Sequence, residues 1–186
     1  MAVIYFKRYR MQVDLRERRF DDLSVPSGFR FQAWHPQLLD AHAEAKFRSF
    51  RNELDANVFP CLGDADGCLK LMKEISCRQG FVPEATWLVT YRHPDSGRRE
   101  NCGTVQGISE QVEVGSIQNI GIVQSQRGKG IGSLIVSHCL RGFQRAGIKF
   151  VNLEVTSQNT GAVRLYERIG FRILRTVFKS VEIVEH

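Results

Sequence analysis

Gln126 to Ser133, QRGKGIGS, concentrates glycines at 128, 130 and 132 and cations at 127 and 129 within eight residues. An apolar, strand-like run, Ser116 to Val123, precedes it, and an amphipathic stretch opening with Ile131 follows. A glycine carries no Cβ, so backbone N–H groups can close on an anion, and a helix beginning there adds its partial positive end. The chemistry predicted is phosphate binding, through the glycine backbone with Arg127 and Lys129 as a cationic rim. A Walker A loop needs GxxxxGK[ST], but Lys129 lies between glycines, with Ile131 and Gly132 after it. A dinucleotide loop needs glycine where Ser133 stands and a place at the first strand, which the long preceding segment denies.

The spacing that fits is Arg127-x-x-Gly130-x-Gly132, and a second motif follows it: Asn159, Ala162, Leu165, Tyr166, Gly170 and Phe171 in NTGAVRLYERIGF, after the apolar run Phe150 to Val155. Together these resemble the pyrophosphate loop and the N-x-x-A-x-x-L-Y-x-x-x-G-F signature of the GNAT superfamily of acyl-CoA-dependent N-acetyltransferases. The resemblance covers residues 84 to 178, and the wording at 119–122 and 153–171 is most similar to the branch of ribosomal-protein alanine N-acetyltransferases. It implies an α/β (α+β) fold, with a mixed central sheet of about seven strands and helices on both faces. It implies acetyl-CoA as co-substrate, with Ile120, Gly121 and Ile122 pairing their backbone with the pantetheine arm. Arg127, Gly128, Lys129, Gly130, Ile131, Gly132 and Ser133 would hold the pyrophosphate, and Asn159 would contact the CoA arm besides capping a helix. Gln124 stands where many relatives have proline.

An amine that attacks a thioester must first be neutral, whereas a lysine amine (pKa ~10.4) and most α-amines (~8) are protonated at pH 7. A base is needed, and an acid near the departing thiolate helps it leave. Glu154 sits near the end of an apolar strand, where a carboxylate is expensive unless it is solvated or employed. By the resemblance Glu154 is the general base and Tyr166 the general acid. A salt bridge to an arginine is the plain alternative for Glu154, and a core aromatic for Tyr166. No cysteine occupies a motif position, which favours direct transfer over an acyl-enzyme. The acceptor expected is a primary amine: a protein N-terminus, a lysine or a small molecule.

The chain has 186 residues, 26 Lys+Arg against 20 Asp+Glu, and a pI near 9.3. Much of the excess lies in KRYRMQVDLRERR near the start, where basic residues pointing outward from a strand explain it; nucleic acid is not the expected partner. A non-catalytic acyl-CoA-binding or regulatory domain and a basic nucleic-acid-binding domain are the rival readings. No apolar stretch approaches the ~20 residues that span a bilayer, so a cytoplasmic protein without a membrane partner is expected. Five scattered cysteines without CxxC spacing predict reduced thiols and no metal site.

Periodicity places strands at 3–15, 28–35, 85–92, 102–109, 112–123 and 149–155. Helices are expected after Pro36 on the stripe Leu39, Ala43, Phe47, Phe50 and Leu54, then at 67–79, 130–146 and 159–169. His42 falls off the first stripe and is expected to be solvated. The link between the first two helices carries Glu53, Asp55, Asp64 and Asp66. By the resemblance it borders the acceptor amine and could attract a cation, although loop acids are ordinarily just solvated. The 1–186 chain reads as a single GNAT domain. After Phe171, however, only one long strand fits where the family has two. The N-terminal RYRMQVDL, residues 8–15, resembles the family's last strand, so the first strand either fills the last-strand position, in the same chain or in a homodimer partner, or is an added edge strand.

Overall fold

The computed structural model describes residues 2–20 and 23–183. Seven strands form one mixed sheet: β1 (Ala2–Asp14), β2 (Phe29–Ala33), β3 (Phe81–Arg92), β4 (Arg99–Gln111), β5 (Val114–Ile122), β6 (Phe150–Thr156) and β7 (Arg172–Ile183), in the order β2-β3-β4-β5-β6-β1-β7. The helices are α1 (Leu39–Phe50), α2 (Leu54–Val58), α3 (Ala65–Ser76), α4 (Ile131–Arg145) and α5 (Thr160–Ile169). The helix expected at 67–79 begins two residues earlier, because Asp64 caps α3 by accepting from the Gly67 amide.

Helices cover both faces of the sheet. Thr104 and Gln106 of β4 meet α1, whereas a Cβ on Gly107 or Gly115 would lie 2.6 Å from the Phe143 ring of α4, so these two glycines make the room in which Phe143 packs. On α4, Ile131, Ile135, Val136, Cys139, Leu140 and Phe143 recur at helical spacing and are buried against the sheet.

The first strand lies between β6 and β7 and is antiparallel to both, with Met11 opposite Leu153 on one side and Ile173 on the other. Met11, Val13 and Leu15 are core residues, so β1 is an interior strand and not an added edge. It pairs with the C-terminal strand of its own chain from Ala2 opposite Ile183 onward.

His42 departs from expectation: it is fully buried, and its Nδ1 lies 2.8 Å from Thr104 Oγ1. Lys46 and Ser49 are buried on the same side of α1. That polar stripe meets polar sheet positions, since Lys46 Nζ donates to Asn119 Oδ1 at 2.8 Å. Sequence periodicity follows apolar residues only, and so assigned this face to solvent.

Two strands part company at the middle of the sheet. β5 and β6 run parallel but pair only from Val114–Phe150 to Ser116–Asn152 among the described residues. Between the pairs Val105–Ile120 and Gly107–Ile117, β5 carries one residue more than β4, a bulge at Gln118 and Asn119 that bends the strand away from its parallel neighbour. Beyond it, Ile120 to Ile122 keep β4 on one edge and leave the edge facing β6 without a ladder partner among the described residues.

Candidate active site

The opening between β5 and β6 holds two adjoining clefts. One, of about 540 Å³, runs from the glycine turn along β5 and is lined by Ile120, Gly121, Ile122, Gly128, Gly130, Gly132 and Ser133, with Asn159, Leu165 and Arg168 opposite. The other, of about 390 Å³, is walled by Arg8, Arg10, Glu110, Gln118, Asn119 and Glu154. Five residues border both: Asp55, Ile120, Asn159, Ala162 and Tyr166.

The glycine turn is built for an anion. Gly128 (φ 74°) and Gly130 (φ 78°) are left-handed, a conformation costly for any residue with a Cβ, and a Cβ built on either would meet nothing within 4 Å. The turn is therefore open on that side. The first bond of α4 runs from the Leu134 amide to the Gly130 carbonyl, which leaves the amides of Ile131, Gly132 and Ser133 as first-turn donors. Ile131 contributes only its backbone, because its side chain is in the core.

Of the two expected rim cations, Arg127 borders the glycine-turn cleft and Lys129 does not. Arg127 is turned inward: Nε donates to the Ile122 carbonyl at 2.9 Å, Nη2 to the Ser49 carbonyl at 3.1 Å and Nη1 to Glu53 at 2.7 Å. The Lys129 ammonium bonds to Gln126 Oε1 at 2.7 Å and lies over the Tyr91 ring, outside the cleft wall. A second cation lining the glycine-turn cleft is Arg168, which the sequence did not single out. Its signal was available, since Gly161, Leu165 and Arg168 are spaced to share one face of α5.

Tyr166 is buried at the joint of the clefts, with its ring edge-on to Phe171 at 5.9 Å. Gly170, at φ 106°, ends α5 in a left-handed turn that returns Phe171 beneath that ring. Burial, with the nearby Asp55 charge, pushes the phenol well above its ordinary value. Asn159 caps α5 by accepting from the Ala162 amide at 3.3 Å, and it faces both clefts.

Glu154 borders only the 390 Å³ cleft and is substantially exposed. It lies 3.8 Å from Arg8 and 3.7 Å from Arg10, both from β1, so the expected carboxylate and its alternative role as an arginine partner coexist in one side chain. Arg8 is buried: Nη1 donates to Thr156 Oγ1 at 2.9 Å, Nη2 to the Glu154 carbonyl at 3.2 Å, and its guanidinium stands 3.8 Å from Asp55.

Asp55 is the second carboxylate here, from the acidic link that the sequence left as either an attractor of a cation or a set of solvated loop acids. It is held in α2, largely buried, with Thr156 Oγ1 at 3.4 Å. Burial raises its pKa, against the lowering pull of Arg8. Among the described residues no cluster of three or more His, Cys, Asp or Glu is arranged to hold a metal ion, and no helix is long and apolar enough to cross a membrane.

Residues 62–171 match the sequence profile described as "Acetyltransferase (GNAT) family". A mycothiol acetyltransferase from Nocardiopsis dassonvillei is 34% identical over 70 residues, which are 38% of this chain and 21% of that protein. The fold resembles a GCN5-related N-acetyltransferase from Sphaerobacter thermophilus (TM-score 0.66, 23% identity, 95% of this chain and 51% of the other). It also resembles the ribosomal-protein-S18-alanine N-acetyltransferase from Escherichia coli (TM-score 0.58, 12% identity, 82% of this chain and 92% of the other).

Proposed function

Because this chain belongs to the Acetyltransferase (GNAT) family, we propose that it transfers an acyl group, most simply acetyl from acetyl-CoA, to a primary amine by direct attack. The observation that carries the reading is the continuous path from the open glycine turn, along the unpaired edge of β5, to the buried phenol of Tyr166. The pyrophosphate takes the free amides of the turn and the first turn of α4, with Arg168 as the cation alongside. The pantetheine arm lies along Ile120, Gly121 and Ile122 as an added strand, using the backbone groups that the bulge releases from β6. Its thioester then falls at the joint of the clefts, where Tyr166 hands a proton to the departing thiolate.

The acceptor enters through the 390 Å³ cleft. Glu110, Glu154 and Asp55 suit an amine that arrives protonated, while Arg8 and Arg10 keep those carboxylates from accumulating unbalanced charge. Glu154, reachable from solvent, takes the ammonium proton. Names among the relatives include both mycothiol and a ribosomal-protein alanine, so the acceptor class is decided by assay.

Thiol release from acetyl-CoA across a panel of peptide α-amines, lysines and small amines tests the reading, with Tyr166→Phe and Glu154→Gln each lowering turnover at least tenfold. Stabilisation by CoA without turnover on any amine would instead identify a non-catalytic binder. Salt-sensitive retention on heparin that survives saturating CoA would identify a nucleic-acid-binding surface.

A further inference from the structure

We infer that Asp55 is a catalytic residue, the carboxylate that takes the proton lost by the amine nitrogen as the carbon–nitrogen bond forms. The inference rests on the acyl-transfer reading above and adds a reacting group to it. Among the five residues bordering both clefts, only Asp55 and Tyr166 carry ionisable side chains. A thioester delivered through one cleft and an amine delivered through the other meet at that joint. Glu154 borders only the acceptor side and is about 41% exposed, whereas the Asp55 side chain is about 18% exposed. The two carboxylates therefore stand at different stations on the amine's route.

The proton count requires two stations. An ammonium loses two protons in becoming an amide nitrogen. The first leaves before attack, to Glu154 and on to solvent. The nitrogen lone pair then bonds to the thioester carbonyl carbon, the carbon–sulfur bond breaks with its electron pair on sulfur, and the nitrogen's second proton passes to Asp55. Tyr166 protonates the thiolate, and the Asp55 proton returns to the phenolate. One proton is released to solvent for each amide formed, and both side chains end as they began.

The surroundings of Asp55 suit a base that must be ionised yet ready to accept a proton. Burial favours its neutral form, and Glu53, just before α2, reinforces that. Arg8 from β1, 3.8 Å away, opposes it, together with hydrogen bonds from Thr156 and Asn159. Arg8 is shared with Glu154 at the same distance, and its Nε has no hydrogen-bond partner, so neither carboxylate owns the cation. Glu53 is itself engaged by Arg127. Tyr166 faces Asp55 from α5 and is the group to which the proton returns.

The test compares Asp55→Asn with Glu154→Gln and wild type, on an amine the wild type acetylates, from pH 6 to 9. CoA affinity is measured by calorimetry on each protein. Asp55→Asn is expected to lower kcat by roughly 10²–10⁴-fold with CoA affinity within threefold of wild type, and Asp55→Glu to recover part of the loss. An Asp55→Asn protein that keeps kcat within threefold of wild type throughout the range overturns the assignment and leaves the acyltransferase reading standing. A wild type that binds CoA but acetylates no amine overturns both. Loss of CoA affinity in parallel with kcat would show that Asp55 shapes the cleft only, and would overturn the assignment as well.

Discussion

Arg127 Nη1 lies 2.7 Å from Glu53 Oε1, joining the glycine turn to the link that carries Asp55. The same guanidinium holds the carbonyls of Ile122 and Ser49, so one side chain fastens the end of β5, the end of α1 and the α1–α2 link. Arg127→Ala is expected to lower the thermal midpoint, at about 1 kcal/mol for each half-buried carbonyl that loses its donor. CoA affinity should fall with it because the cleft wall loosens. Arg127→Lys should recover little, since an ammonium cannot span three divergent acceptors. Thermal denaturation with and without CoA reads both effects.

Alanine at Gly128 or Gly130 should cost about 1–2 kcal/mol of stability, the penalty for placing a Cβ on a left-handed backbone. Nothing in the protein obstructs that Cβ. A larger loss in CoA affinity than in stability would show that the methyl group intrudes on the anion itself. Equal losses measured by calorimetry and by denaturation would speak for strain alone.

Burial raises the Tyr166 phenol above its ordinary ~10. It therefore stays protonated, and able to act as an acid, from pH 6 to 9. The alkaline limb of a kcat profile below pH 10 should accordingly be unchanged in its midpoint by Tyr166→Phe, although the plateau falls. Ultraviolet titration of the phenolate, comparing wild type with Tyr166→Phe, checks the protonation directly.

Asp55 should trade stability for function. Its folded pKa is raised, so its contribution to stability is present below the unfolded value of ~3.9 and is lost as pH rises through the folded value. At pH 7 the charge is a cost, and Asp55→Asn should raise the thermal midpoint there while showing little change at pH 3. A lowered midpoint at pH 7 would mean that the Arg8 pairing outweighs burial.

His42 gives the opposite pH dependence. Burial, with the Lys46 charge close by, lowers its pKa to about 3. Its contribution is present above the unfolded value of ~6.5 and is lost as pH falls toward the folded one. The thermal midpoint should drop on acidification below pH 6.5, and His42→Gln should flatten that slope if its amide keeps the bond to Thr104. Ala2 and Ile183 stand opposite each other, so a short turn joining residue 183 to residue 2, with new ends opened after Leu15, should also give a folded, CoA-binding protein. Deleting residues 2–15 without rejoining them should not, because Met11, Val13 and Leu15 are buried in the core and Arg8 is buried against Asp55.

The sequence by itself determined the glycine turn, the α5 motif with its cap at Asn159, the seven strands and the family, because those features are local: spacing, turn chemistry and apolar period all act within a few residues. It also pointed to the kinship of residues 8–15 with a last strand. What it did not determine was set by groups far apart in the chain. The place of β1 between β6 and β7 depends on ladder pairing across some 140 or more residues. The burial of His42 and Lys46 depends on polar sheet positions at Thr104 and Asn119 that apolar periodicity cannot see. Arg127 turned inward because three acceptors converge on it from α1, the following link and β5. Asp55 became a candidate base only when the bulge in β5 opened the sheet beneath it and burial removed its water, an outcome of tertiary packing that no run of neighbouring residues encodes.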